Sequence, residues 1–328
     1  MRKVLVLLAV CSLLIFGAPA LAAAPEFPEF TPMDYGPEGI TIDKVGNVYV
    51  SVGIPDMGHT EIWKFNRAGD AHVLATLPGP SPAGMAVRPN GKHVYVAMQF
   101  GGVFAINMAG EVTLVPGTDA MVLPNSLAFD KQGNLYITET FSFDVADGLD
   151  YYPFCDNPAI GFDGFFGRGG IWIVPKGGEA ELLLRHDLLT GVCAPVPIPY
   201  PIGANGIAID DGKLIVANTE KALLLEIPIL AKGGLGEVSV ITPVVGAGMF
   251  GPWMLDGLTL DVHGNIYAAV VTDSVVVRVS PDGSTIEVVA TYEDGLDFPA
   301  SLAFGTGKGE RKSLFVSNLA FVVPEGFA

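Results

Sequence analysis

Glu38, Asn125, Asn205 and Asp256 open four short segments of one pattern: an oxygen-bearing residue, then Gly or Ser, then a mostly apolar stretch. Ala83 and Ala300 open two more. If the six segments are equivalent strands of one repeat, their first residues converge on a single ring. That ring carries two carboxylates and two amides. Two carboxylates brought together without a counter-charge are costly, and a bound cation relieves the cost. Carboxylate and amide oxygens are hard ligands and suit Ca²⁺. No His or Cys joins the ring, which argues against Zn²⁺. A competing reading treats Asn and Asp as ordinary strand-opening turn residues. Four polar residues at one register favour the metal.

The elements that must position these residues follow from the repeat. The six openings are separated by 45, 42, 80, 51 and 44 residues. Three segments run into D-x-x-G-N and a second strand with Tyr: Asp43 to Tyr49, Asp130 to Tyr136 and Asp261 to Tyr267. Such a sequence marks a tight turn, so Asp43, Asp130 and Asp261 read as turn residues. Third and fourth strands follow in most repeats. Four antiparallel strands repeated radially predict an all-β, six-bladed propeller. The long gap reads as an insertion in blade three, residues 141–169. The last repeat is short, with strands expected at Ser301–Phe304, Ser313–Ser317 and about Leu319–Val323. Its missing strand is expected from the segment around Phe27–Pro32, which would close the ring and cover an open edge.

Composition narrows the classes. Half of the 328 residues are hydrophobic, 16% are charged, and 18 Lys and Arg face 35 Asp and Glu. This excludes a disordered chain and argues against a nucleic-acid partner, which wants a basic face. Residues 1–22 have a signal-peptide layout: Arg2 and Lys3, an apolar run from Val4 to Phe16, then Ala20-Leu21-Ala22. Cleavage there predicts a secreted or periplasmic protein whose single domain spans residues 23–328, with no later membrane span. Loss of Arg2 and Lys3 takes the formal charge from −17 to −19. An oxidising compartment favours a Cys155–Cys193 disulfide, two buried thiols being the alternative.

Strand direction decides what else meets the ring. Second strands return to the mouth where first strands begin. Glu139, Glu220 and Asp273 lie at or just after the ends of second strands and are candidate bases. His59 is placed in a mouth-facing loop of blade one. Phe141 and Phe143 open the aromatic insertion, read as a lid or wall of the substrate pocket, with an association patch or a hydrophobic plug closing the channel as the alternatives.

The ordered set Pro37-Glu38-Gly39, Pro124-Asn125, Ala204-Asn205-Gly206 and Leu255-Asp256-Gly257 resembles the calcium-dependent six-bladed propellers of the SMP-30/gluconolactonase/LRE family. Diisopropyl fluorophosphatases and paraoxonases are similar in plan. The resemblance spans essentially the whole chain after residue 22. It implies a channel calcium held by Glu38, Asn125, Asn205 and Asp256, with Asp256 also assisting proton transfer. The activity implied is hydrolysis of a lactone or ester, the metal polarising the carbonyl for attack by water. The apolar rim and scarce cations suggest a neutral, partly apolar small molecule. Blade six offers Ala303 where some relatives carry a channel His. The second expectation is a non-catalytic propeller that binds a ligand or protein and keeps calcium as a structural ion. A quinone-dependent dehydrogenase would want a basic mouth. The oligomeric state is open.

Overall fold

The D-x-x-G-N segments fold as turns tied by their own aspartates. Asp43 Oδ1 accepts from the backbone N–H of Val45 and Asn47, and its Oδ2 accepts from Asn47 Nδ2 and the Tyr49 hydroxyl. Asp130 and Asp261 bind Asn134 and Asn265 in the same way. Gly46, Gly133 and Gly264 take φ of 90°, 92° and 77°, a region that favours glycine. Each turn therefore throws the chain back as an antiparallel second strand.

The computed structural model describes residues 6–9, 36–143, 167–192, 200–231, 233–244, 254–307 and 309–320. Strand β1 is Val6–Ala9. Blade one holds β2 (Pro37–Ile42), β3 (Val48–Ile54), β4 (His59–Phe65) and β5 (Ala71–Pro78). Blade two holds β6 (Pro82–Val87), β7 (His93–Met98), β8 (Gly102–Asn107) and β9 (Val112–Leu114). Blade three holds β10 (Pro124–Phe129), β11 (Leu135–Glu139), β12 (Gly170–Val174) and β13 (Glu181–Arg185). Blade four holds β14 (Ala204–Asp210), β15 (Lys213–Asn218), β16 (Leu223–Pro228) and β17 (Ser239–Pro243). Blade five holds β18 (Leu255–Leu260), β19 (Ile266–Val270), β20 (Val275–Val279) and β21 (Ile286–Ala290). Blade six holds β22 (Pro299–Phe304) and β23 (Ser313–Asn318), with β1 as its third strand. Five four-stranded antiparallel blades and a partial sixth thus form the propeller. The insertion in blade three joins β11 to β12.

One expectation for blade six is corrected. Leu319 and Ala320 do not extend a third strand. Their amides donate to the carbonyls of Phe298 and Asp297, which turns the chain back over the entrance to β22. The outer edge of β23 pairs instead with β1, Val6 opposite Val316 and Ala9 opposite Ser313. An open β edge takes an apolar, β-capable segment that reaches it. The segment 27–32 lies outside the described residues.

The core is divided among the seams. Each of the six main buried clusters draws on two neighbouring blades, and Phe315 of blade six packs with Ile40, Val48, Val50 and Val52 of blade one. Second strands such as β11 and β19 are buried along their full length, because both of their faces meet apolar neighbours.

The innermost strands approach so closely that side chains are excluded at one register. A Cβ on Gly39 would lie 2.5 Å from the Ala83 carbonyl oxygen, and one on Gly206 would lie 2.5 Å from that of Asp256. Hydroxyls bridge the same seam elsewhere. Ser51, Thr138 and Ser317 accept from the N–H of Gly39, Ser126 and Ser301 and donate to the carbonyls of Ala83, Asn205 and Glu38. Ser317 thereby ties blade six to blade one. The Thr306 hydroxyl on the Asp43 carbonyl and an Arg67–Glu310 ion pair at 3.2 Å tie them further out.

Gly206→Ala should therefore cost about 2–3 kcal/mol, the scale of overpacking a rigid contact. Denaturant unfolding against the wild type measures it. The same change at Gly212, where an added Cβ meets nothing within 4 Å, serves as the comparison; its φ of 82° makes the cost there one of backbone conformation alone.

Candidate functional site

Every innermost strand breaks register at its start. The shifts fall between Pro37 and Ile40, Pro82 and Met85, Pro124 and Leu127, Ala204 and Ile207, Leu255 and Leu258, and Pro299 and Ser301. A bulge re-aims the side chain it carries. Glu38, Ala83, Asn125, Asn205, Asp256 and Ala300 all lie within these irregular starts. With the next residue pressed against the neighbouring blade, the side chain before it is set at the mouth.

The four polar members are withdrawn from water. Asn125, Asn205 and Asp256 are 8%, 5% and 8% exposed, and Glu38 is partly buried. Asn125 Nδ2 donates to Thr140 Oγ1 at 3.2 Å, and Asn205 Nδ2 donates to Thr219 Oγ1 at 3.0 Å. These bonds fix the amides and leave both Oδ1 atoms without a hydrogen-bond partner among the described residues. Desolvation pushes the Glu38 carboxyl well above its usual range, and the nearby Asp256 charge adds to the shift. Asp256 is pushed up to about 7 by burial, although hydrogen bonds from Asn205 and the Gly257 N–H oppose the rise. Neither carboxylate has an ion pair among the described residues. Buried oxygen ligands, unspent amide oxygens and an unbalanced pair of carboxylates fit a hard divalent cation. No group of three or more His, Cys, Asp or Glu occurs among the described residues, so a cation here depends on the two amides.

The candidate bases have other occupations. Glu139 is fully buried and accepts from Trp172 Nε1 at 2.7 Å, Arg185 at 2.9 Å and the Val122 N–H at 2.7 Å. It ties three parts of the mouth wall, and its charge is matched by Arg185. Glu220 is 2% exposed and holds the Val192 N–H at 2.5 Å, bracing the connection from blade three to blade four. Asp273 lies in the turn between β19 and β20. His59 is the first residue of β4 rather than a loop residue, since its backbone pairs with Ile54 and Pro78, and its Nε2 lies 3.6 Å from Glu61.

An aromatic wall stands beside the ring. Phe141 is fully buried against Tyr200, with ring centroids 5.2 Å apart, and meets Phe143 edge-on at 5.7 Å. Phe100, held at φ 58°, reaches Tyr200 from blade two. Burial and the Glu38 charge both raise the Tyr200 phenol above its usual range, so it keeps its proton beside the carboxylate. Sequence reasoning did not single out Tyr200. The insertion leaves through a short stem in which Ser142 and Gly167 pair. Residues 144–166 and 193–199, with Cys155 and Cys193, lie outside the described residues.

A model of the SMP-30/gluconolactonase/LRE-like region matches residues 36–319. The chain belongs to this family. Among solved structures, a luciferin-regenerating enzyme matches at 14% identity and TM-score 0.61, covering 90% of this chain and 87% of the other. A gluconolactonase from Xanthomonas campestris matches at 15% identity and TM-score 0.58, covering 87% and 86%. The calcium-binding protein regucalcin from Agrobacterium tumefaciens matches at 18% identity and TM-score 0.55, covering 88% and 91%. At these identities the structures establish a shared fold. No curated protein matches the chain.

The raised carboxyls give a signed prediction. The folded state holds protons on Glu38 and Asp256 that the unfolded chain releases near pH 4, so stability falls as pH rises from about 4 towards about 7. In chelator, the melting temperature of Asp256→Asn should fall less over that window than that of the wild type. Equal slopes would remove the coupled pair from the account.

Proposed function

We propose that the chain is a calcium-dependent hydrolase of a lactone or ester that works at the mouth of the propeller channel. The observation that carries this reading is the desolvated Glu38–Asp256 pair beside two amides fixed by threonines. Glu38, Asn125, Asn205 and Asp256 would hold the ion. When bound, calcium supplies a Lewis acid that polarises a carbonyl oxygen.

The remaining work belongs to the side chains. Thr140 and Thr219 hold the amides of Asn125 and Asn205, so the oxygen ligands need little reorganisation. Asp256 accepts a proton from the attacking water. Phe141, Phe143, Phe100 and Tyr200 form one wall against which the apolar part of the substrate packs. Two carboxylates at the floor disfavour an anionic substrate, which leaves a neutral lactone or ester. Relatives named as a gluconolactonase and a luciferin-regenerating enzyme support a small-molecule substrate.

Export is the second part of the proposal, carried by residues 1–22 alone. Cleavage after Ala22 would remove β1 and release the edge of β23. N-terminal sequencing of protein from the culture medium or periplasm should read from Ala23. A terminus that retains Val6 would overturn export by this leader.

Hydrolysis of aldonolactones and aryl esters should vanish with chelator and return with Ca²⁺. Asp256→Asn should lower kcat/KM by about 10²–10⁴-fold, the usual contribution of a positioned acid–base group. A folded, calcium-loaded protein that turns over no member of the panel would leave the binding propeller as the better account.

A further inference from the structure

A groove of about 300 Å³ lies between blades two and three at the end opposite the mouth. Arg88, which follows β6, and Lys176, which follows β12, line it, together with His93 and Tyr95 of β7 and Phe129 of β10. Cations are scarce in this chain, 18 against 35 acidic residues. Arg67, Arg168, Arg185, Lys213 and Arg278 are each spent on an ion pair. Arg88 and Lys176 form none among the described residues. The acidic lining residue, Glu111, is held at 2.6 Å by Asn107 Nδ2.

The wall between the cations is aromatic. Tyr95 meets Phe129 edge-on at 4.9 Å, and His93 meets Tyr95 at 6.4 Å. His93 Nδ1 is buried with no hydrogen-bond partner among the described residues. A buried polar atom left in this way costs about 1–3 kcal/mol until something meets it. Desolvation, with Arg88 and Lys92 nearby, holds the imidazole below its usual pKa, so it is neutral at pH 7. The volume is at the low end of small-molecule pockets, roughly 300–1,000 Å³. Glu111 disfavours a multiply charged anion, and the aromatic wall favours a flat apolar body.

We propose that this groove binds a small aromatic carboxylate, its ring against Tyr95 and Phe129 and its carboxylate towards Arg88 and Lys176. The site is separate from the mouth and does not rest on the hydrolase reading.

Benzoate is the probe, with benzyl alcohol as its uncharged counterpart, followed by saturation-transfer NMR on the full chain. Benzoate should bind saturably and benzyl alcohol should not. Arg88→Gln and Lys176→Gln should each weaken benzoate by about tenfold or more, the scale of a lost charge-assisted hydrogen bond. Both changes lie at solvent-accessible positions, and an unchanged melting temperature confirms folding. Asp256→Asn should leave benzoate binding intact. Failure to saturate, wild-type affinity in both charge variants, or loss in Asp256→Asn would each overturn the proposal.

Discussion

The structure depends on how closely six strands can approach one axis. At the register of Gly39, Gly84, Gly206 and Gly257, the next blade's backbone lies where a side chain would begin. The chain answers with glycine, or with a serine and a hydroxyl clasp from the second strand. Both answers leave the preceding residue in a bulge and set its side chain at the channel. The packing rule that closes the ring therefore also builds the site. Apolar burial does its work elsewhere, in the seams between blades, where one Val, Leu or Ile contributes about 1.5–3 kcal/mol.

The chain buries carboxylates in two ways, and the contrast separates scaffold from site. Glu139 is fully buried and meets Arg185, Trp172 and the Val122 amide. Glu38 and Asp256 meet no cation among the described residues. Two unit charges about 4 Å apart repel by about 4 kcal/mol at an effective dielectric near 20. Total stability is commonly about 5–15 kcal/mol, so such a pair is tolerated only if a proton or a cation is held between its members. A fold that needed only stability would have treated Glu38 as it treats Glu139.

Much of this was legible in the sequence because the repeat samples each position six times. The register of Glu38, Asn125, Asn205 and Asp256 and the aspartate turns are local patterns with local causes. What escaped depends on contacts distant in sequence. Glu139 looked like a spare base because Arg185 lies 46 residues away. Tyr200 sits in a proline-rich connection with no periodicity to mark it, and only packing on Phe141 brings it to Glu38. The partner of β23 is set by which segment reaches an open edge, and no composition rule ranks Val6–Ala9 against residues 27–32. The bulges were invisible because a bulge adds a residue without changing residue type.

The ring is also uneven in a way that bears on its chemistry. Asp256 follows Asn205 around the ring and accepts its hydrogen bond as well as that of the Gly257 amide. Glu38 lies between blades two and six, which contribute the methyl groups of Ala83 and Ala300, both almost fully buried. No amide stands beside Glu38 to offset its desolvation. Burial raises both carboxyls, and the Asp256 charge adds to the rise at Glu38. Without a cation the two titrate as a pair, the first charge opposing the second. The side of the ring that carries Asn205 and Asp256 is thus the side where hydrogen bonds offset part of the desolvation. The Glu38 side, faced by Tyr200 and flanked by two alanines, surrounds its carboxyl with apolar groups instead.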